Sequence, residues 1–357
     1  MSDPDTRPSK RTRLSTDDRA DPQSSSSSSS SFLSSNLRRH PEIWYDDGNL
    51  VLVAGQTAFR IYRGLIAGQS TIFSDLFSSS SSSPDETFEG CPVIHLSDSP
   101  QDLVHFLRVL LPQSRTHYRT TREDHMRTFD ELSAVVRLAH KYNVSQVLEQ
   151  TLASLHDYGF VTSFAAYSRL PPNAALALDP WHNIGIVNLA RLADTPSLLP
   201  LAFYRCAYLG SDVLNGCARE DGTIEHLSEA DLRRCIDGRV AVVHEHTAFL
   251  CAVFDGAANP ACTRPPLCAS GLRNAQVGLL RMKEFEAKYH PLWPCWVEAV
   301  SQLGDTQVCP GCRGEMLERA KKGQKKFFDR LPEIFGIMVE GWGDEESETV
   351  VAAGEGE

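Results

Sequence analysis

The sequence predicts an α+β fold, a small mixed sheet flanked by helices, followed by a mainly α-helical region. Three observations carry that expectation. Apolar residues cluster or alternate in short runs at 49–53, 58–62 and 92–97, the length and pattern of strands. From Leu65 the period lengthens to that of a helix, and capping signals open further helices at Ser99 and Thr128. Beyond Tyr158 nothing alternates as a sheet strand does, so the remainder reads as helices.

Residues 1–40 combine charge, proline and the serine tract 24–31, and hold too little apolar surface to offset the entropy of ordering. They read as a disordered tail, in which SKRTR (9–13) has the form of a nuclear import signal and equally of a solvated basic cluster. The runs at 49–53 and 58–62 are joined by the turn-like Gly55-Gln56-Thr57 and form a hairpin. Leu65, Ile72, Phe73, Leu76 and Phe77 then share one helical face, divided into two short helices by Gly68 and Ser70. A second serine tract, 78–83, is a surface loop, and PVIHLS (92–97) is a third strand. Ser99-Pro100-Gln101-Asp102 supplies a capping serine and a proline suited to the first helical position, and Leu103, Phe106, Leu107, Leu110 and Leu111 follow as a core-facing stripe ended by Pro112. Thr128 and Glu131 form a capping box ahead of Leu132, Val135, Val136, Ala139 and Tyr142, and a third helix covers 145–156. Downstream, Thr195-Pro196 and Ser228 to Asp231 start helices. Leu232 and Ile236 lie on an apolar face, and Gly238 stands where a C-terminal cap would.

With 357 residues, 41% apolar and 23% charged, the chain can bury a sizeable core. A net charge of -11 argues against a sequence-independent grip on nucleic acid and against docking on an acidic membrane. No apolar run approaches the roughly 20 residues that cross a bilayer, and the N-terminus lacks the apolar core of a secretory signal. The expected location is intracellular, in nucleus or cytoplasm, where ten cysteines stay reduced and the Asn143 sequon is unglycosylated.

The order hairpin, helix pair, strand, capped helix, capped helix, helix resembles the BTB/POZ domain, over residues 41–160. AFRIYRGLIAGQSTIFSDLF (58–77) looks like that family's signature, with Phe59, Arg63, Ser70, Phe73 and Phe77 at family positions. Tyr62 stands where the family usually has histidine. Asn49 replaces the aspartate that often opens the first strand, so it cannot supply an acidic pocket at a dimer groove. The resemblance implies a homodimer, and in some members recruitment of a cullin-3 ubiquitin ligase. A dimer is physically reasonable where hairpin edges and the short helix after Arg63 bury an apolar patch between copies. The segment 161–255 looks like the helical extension that often follows such a domain. LSEADLRRCIDGR with the later FFDRLPEIFGI (327–337) is similar to the architecture of a large group of fungal BTB proteins.

A helical region at 256–340 carries Cys262 and Cys268, then Cys309 and Cys312 in VCPGCRG, with Cys295 between. Two thiolates two residues apart in a tight turn, with a second pair, suit one tetrahedral zinc at about 2.3 Å. Four thiolates close such a site, so the ion would be structural and would pin the loop around Cys262 to the last helix. The five-residue gap of the first pair is wider than usual, which leaves reduced packing cysteines as the other reading and Cys295 or His290 as replacements for Cys268. Cys91, Cys206, Cys217, Cys235 and Cys251 are expected to be small buried hydrophobes. No phosphate loop, dinucleotide glycine pattern or nucleophile elbow is present. His244 and His246 point to different helical faces, and His140 reads as a packed helix residue. The basic run 319–326 reads as a solvated helix face before an acidic tail, 341–357. The expectation is a non-enzymatic protein-protein interaction scaffold, with a nuclear transcriptional cofactor as the alternative.

Overall fold

In a computed structural model of the chain the described residues are 36–80, 86–111, 128–170, 178–255, 259–281, 290–292, 296 and 308–344. The basic cluster 9–13, Cys295, the serines after Ser80 and the acidic stretch after Asp344 lie outside them. The fold is α+β. Strands β1 (Arg38–Trp44), β2 (Leu50–Ala54), β3 (Thr57–Ile61), β4 (Thr87–Phe88) and β5 (Cys91–Leu96) form one sheet in the order β1-β3-β2-β5-β4. The β2–β3 hairpin is antiparallel, and β5 returns parallel to β2. Gly55 closes the hairpin at φ 55, a conformation open to glycine.

Every residue of β2 is buried, because the sheet carries two apolar faces. Leu50, Leu52, Phe59 and Ile61 face a helix-covered core, while Val51, Val53, Ala58 and Cys91 face a smaller one closed by Leu37, Trp44 and Phe88. The first core is capped by α1 (Arg63–Ala67), α2 (Thr71–Ser80) and α3 (Pro100–Leu110). Ser99 caps α3 by accepting the Asp102 N–H at 3.0 Å, as its sequence requires. Helix α4 (Phe129–Lys141), opened by the complete Thr128/Glu131 capping box, is shared between halves. Its Leu138 and Ala139 pack on the sheet core, whereas Phe129, Leu132 and Val136 enter the core of the helical half.

The helical half contains α5 (Ser145–Ser154), α6 (Phe164–Arg169), α7 (His182–Leu192), α8 (Leu199–Ala207), α9 (Glu229–Val253), α10 (Pro265–Leu280), α11 (Pro310–Asp329) and α12 (Leu331–Ile334). Among the described residues no helix is long and apolar enough to cross a membrane.

Several expectations are corrected. The tail stops short of 40, since Arg38 and Arg39 of β1 already pair with β3. The hairpin offers no edges: β3 is covered by β1 and β2 by β5, and the outer strand β1 carries Arg38, Arg39 and Pro41, which discourage further pairing. Leu65 and Ile72 are 40% and 43% exposed, and Ile66 takes the buried place in α1. Thr195 makes no side-chain cap and leads a 3-10 turn. Ile236 is exposed, His140 is exposed, and so is Cys251. Gly238 does not end a helix. It lies midway along α9, where any Cβ would sit 2.3 Å from the Phe335 ring. Residues 341–344 belong to the folded part, with Trp342 stacked on Phe328 and donating to its carbonyl at 2.9 Å.

A two-stranded ribbon, β6 (Cys217–Ala218) with β7 (Ile224–Glu225), was not foreseen because each strand has only two residues. It ties the halves through charge. Arg219 reaches Asp102 of α3 and Glu225, and Arg137 of α4 donates to both Glu225 oxygens at 2.5 Å, joined by Asn188 of α7 at 3.2 Å. These side chains are mostly buried, the setting in which removing one partner is most costly.

Candidate metal centre

Two chain segments enter the centre, and each then starts a helix. One runs through Cys262 into α10, whose Pro265 and Pro266 suit a first turn and place Cys268 just inside it. The other brings Cys309 to the N-cap of α11, with Pro310 in the first position and Cys312 two residues on. Asn259 links them, donating to the Gly311 carbonyl at 2.9 Å and accepting the Ala261 N–H at 2.8 Å. Gly311 suits this approach: a Cβ there would lie a tight 3.0 Å from the Ala261 carbonyl oxygen.

The result is that the sulfurs of Cys262, Cys268, Cys309 and Cys312 all lie within 4.8 Å of one another. Cys309 and Cys262 Sγ are 3.9 Å apart, too far for a disulfide at about 2.05 Å. A tetrahedron with metal–sulfur bonds of about 2.3 Å has an edge of about 3.8 Å, so that separation matches a shared ion. The Cys309 N–H donates to Cys268 Sγ at 3.3 Å. The N–H groups of Cys312 and Thr263 face the Cys309 sulfur and draw its pKa down to about 6, against the opposing effect of burial. Burial, and then the thiols of Cys262 and Cys309, push Cys312 far up. The Cys309 N–H pulls Cys268 down, but burial and the neighbouring thiols outweigh it and raise it. Four sulfurs gathered at the starts of two helices suit a cation that would balance their thiolates.

The shell is apolar. Phe249, Leu250 and Val253 of α9, Phe254 just beyond it, Leu272 of α10, Met316 of α11 and Trp296 surround the cluster, and Cys268, Cys309 and Cys312 are buried while Cys262 is half-buried. His290 is elsewhere: its Nδ1 meets the Tyr204 hydroxyl at 2.6 Å inside a separate aromatic cluster, so it does not replace Cys268. Burial, then the positive influence of His246 and Arg205, hold its pKa down to about 3.

The residues of the 58–77 pattern meet at the junction of the helix pair with α4. Phe59 is fully buried and stacks on His40 at 5.1 Å. The Arg63 N–H donates to Asn49 Oδ1 at 2.8 Å and its guanidinium donates to the Phe77 carbonyl at 2.9 Å, closing α1 against the end of α2. Asparagine thus keeps the acceptor a carboxylate would offer there. Ser70 caps α2, accepting the Phe73 N–H at 3.0 Å and donating to the Tyr142 carbonyl at 2.5 Å. Phe73 stacks on Tyr142 with centroids 4.0 Å apart, and Phe77 lies behind it at 5.4 Å. Tyr62 turns outward and donates to Asp47 at 2.5 Å.

Nothing in sequence spacing pointed to Asn259 or Gly311 as the link between the two cysteine segments. The Pro-Gly within VCPGCRG was the one available signal. No protein-family model matches the chain, and no curated protein matches it at a significant level.

Proposed function

We propose that the chain is a non-enzymatic interaction scaffold: a BTB/POZ-type unit that self-associates as a homodimer, extended by a helical region held by one structural zinc. The observation that carries the reading is the joint at Ser70, where one buried hydroxyl both caps α2 and grips the end of α4 through Tyr142. The sheet order β3-β2-β5 and the helix pair between β3 and β5 support the same unit. Leu65 on α1 and Ile72 on α2 are exposed apolar side chains that would meet a second copy, in place of the hairpin edges. Sedimentation of full-length protein tests the dimer. Leu65→Glu with Ile72→Glu is expected to give a monomer, and a parent chain that is monomeric at micromolar concentration would remove the reading.

Cys262, Cys268, Cys309 and Cys312 would hold the zinc, which in a closed thiolate site supplies cross-linking rather than reaction chemistry. Cobalt titration reads this directly, because four thiolate ligands give intense sulfur-to-metal absorption that Cys309→Ser weakens. Recruitment of cullin-3 is a further part of the proposal. Co-purification from a competent lysate supports it, and consistent failure to co-purify counts against it.

A further inference from the structure

The outward face of α9 carries Ile236 and Val240, one helical turn apart and 52% and 71% exposed. Each borders a hollow. On the Ile236 side a hollow of about 400 Å³ is floored by Ala207 and Val213 and walled by Leu214, itself 57% exposed. On the Val240 side a hollow of about 490 Å³ is lined by Ala241 and Ile334 and by Asp237, Glu245, Glu333 and Arg330. Arg330 pairs with Glu245 at 2.5 Å and Glu333 at 3.1 Å, while Asp237 has no ion-pair partner among the described residues. That hollow therefore sets three carboxylates against one guanidinium and the imidazole of His244.

Three large apolar side chains gathered at two hollows are a surface suited to being covered. Ridges of residues four apart on one helix pack into the grooves of another, so an Ile236–Val240 ridge with a hollow on each side is shaped for a helix. The excess of carboxylates selects the charge of that helix. We infer that this face docks an amphipathic basic helix of a partner protein, seating apolar side chains on either side of the ridge and a lysine or arginine against Asp237 and Glu333. The inference rests on the scaffold reading but not on the dimer. An interface of this extent is transient, since a single helix covers less than the area of a permanent complex.

The probe is a fluorescein-labelled, 14-residue leucine/lysine amphipathic peptide, with its leucine/glutamate counterpart as the opposite charge. Binding to full-length protein is followed by anisotropy at physiological salt. Ile236→Gln with Val240→Gln is expected to weaken the lysine peptide about tenfold or more, as loss of central apolar anchors does. Asp237→Lys with Glu333→Lys is expected to weaken it and strengthen the glutamate peptide, and Met338→Gln, at an exposed residue that lines neither hollow, leaves both unchanged. All four target side chains face solvent, and circular dichroism checks the fold of each variant. Equal binding by parent and both double variants would overturn the inference, as would preference for the glutamate peptide. Tighter binding after removal of residues 1–35 would assign the face to the chain's own basic cluster at 9–13 and overturn the partner. A dimer that ignores the peptide refutes this inference alone and leaves the scaffold standing.

Discussion

Replacing Gly238 by alanine separates two physical effects of opposite sign. In the interior of an exposed helix the change stabilises by up to about 1 kcal/mol, because glycine loses more backbone freedom on folding. At Gly238 the new Cβ would stand 2.3 Å from Cδ1 and Cε1 of Phe335, against the roughly 3.5–4.0 Å at which carbons rest. Phe335 is 1% exposed and stacked on Phe203 at 5.7 Å, so the ring cannot withdraw without moving α12 off α8. Overpacking of this kind costs about 1–3 kcal/mol, which after a propensity gain of up to about 1 kcal/mol leaves a net loss of up to about 2 kcal/mol. Gly314 in α11 has nothing within 4 Å of its Cβ position, so Gly314→Ala keeps the propensity gain alone. Urea unfolding followed by circular dichroism compares the two variants. The expected result is a lowered midpoint for Gly238→Ala and a raised one for Gly314→Ala. Two variants raised alike would refute the argument that α9 is held against α12 by glycine contact.

Ser70→Ala removes a helix cap worth about 1 kcal/mol and strands the Tyr142 carbonyl at about 1–3 kcal/mol, so unfolding should show a loss of about 2–4 kcal/mol. A loss under about 0.5 kcal/mol would mean the joint is not a joint. Chelation, or Cys268→Ser, should abolish hydrogen-exchange protection in α10 and α11 while leaving β2 and β3 protected; uniform loss would deny the cysteines a local role. His290 gives a pH dependence of known sign. Its folded pKa of about 3 lies below the unfolded value of about 6.5, so the unfolded chain binds the extra proton between them. Stability is full above about pH 6.5 and falls as pH drops toward 3, by up to about 1.4 kcal/mol per unit, and His290→Asn should flatten that slope relative to the parent.

Legibility followed physical range. Capping boxes and helical stripes act within a few residues, and Ser99, Thr128, the α3 stripe and the β2–β3 hairpin stood in the sequence as they stand in the fold. The four sulfurs were also legible as a set, because the Cys-Pro-Gly-Cys spacing is local, although the wide gap from Cys262 to Cys268 hid why they meet: α10 begins between them. What was missed depends on distant neighbours. Gly238 resembles a cap locally, and Phe335, almost a hundred residues on, makes it a contact point. The short ribbon β6–β7 has no periodicity to read, and its hold comes from Arg137, Asp102 and Asn188 on other helices. Leu65 and Ile236 look like core residues by spacing, and among the described residues no element covers them.

The most direct test of the scaffold with a closed thiolate centre is native mass spectrometry of the purified full-length chain, which reports subunit number and bound metal in one spectrum. The account predicts a dimer carrying one zinc per chain, with the zinc lost and the dimer kept in Cys309→Ser. A metal-free monomer would contradict it.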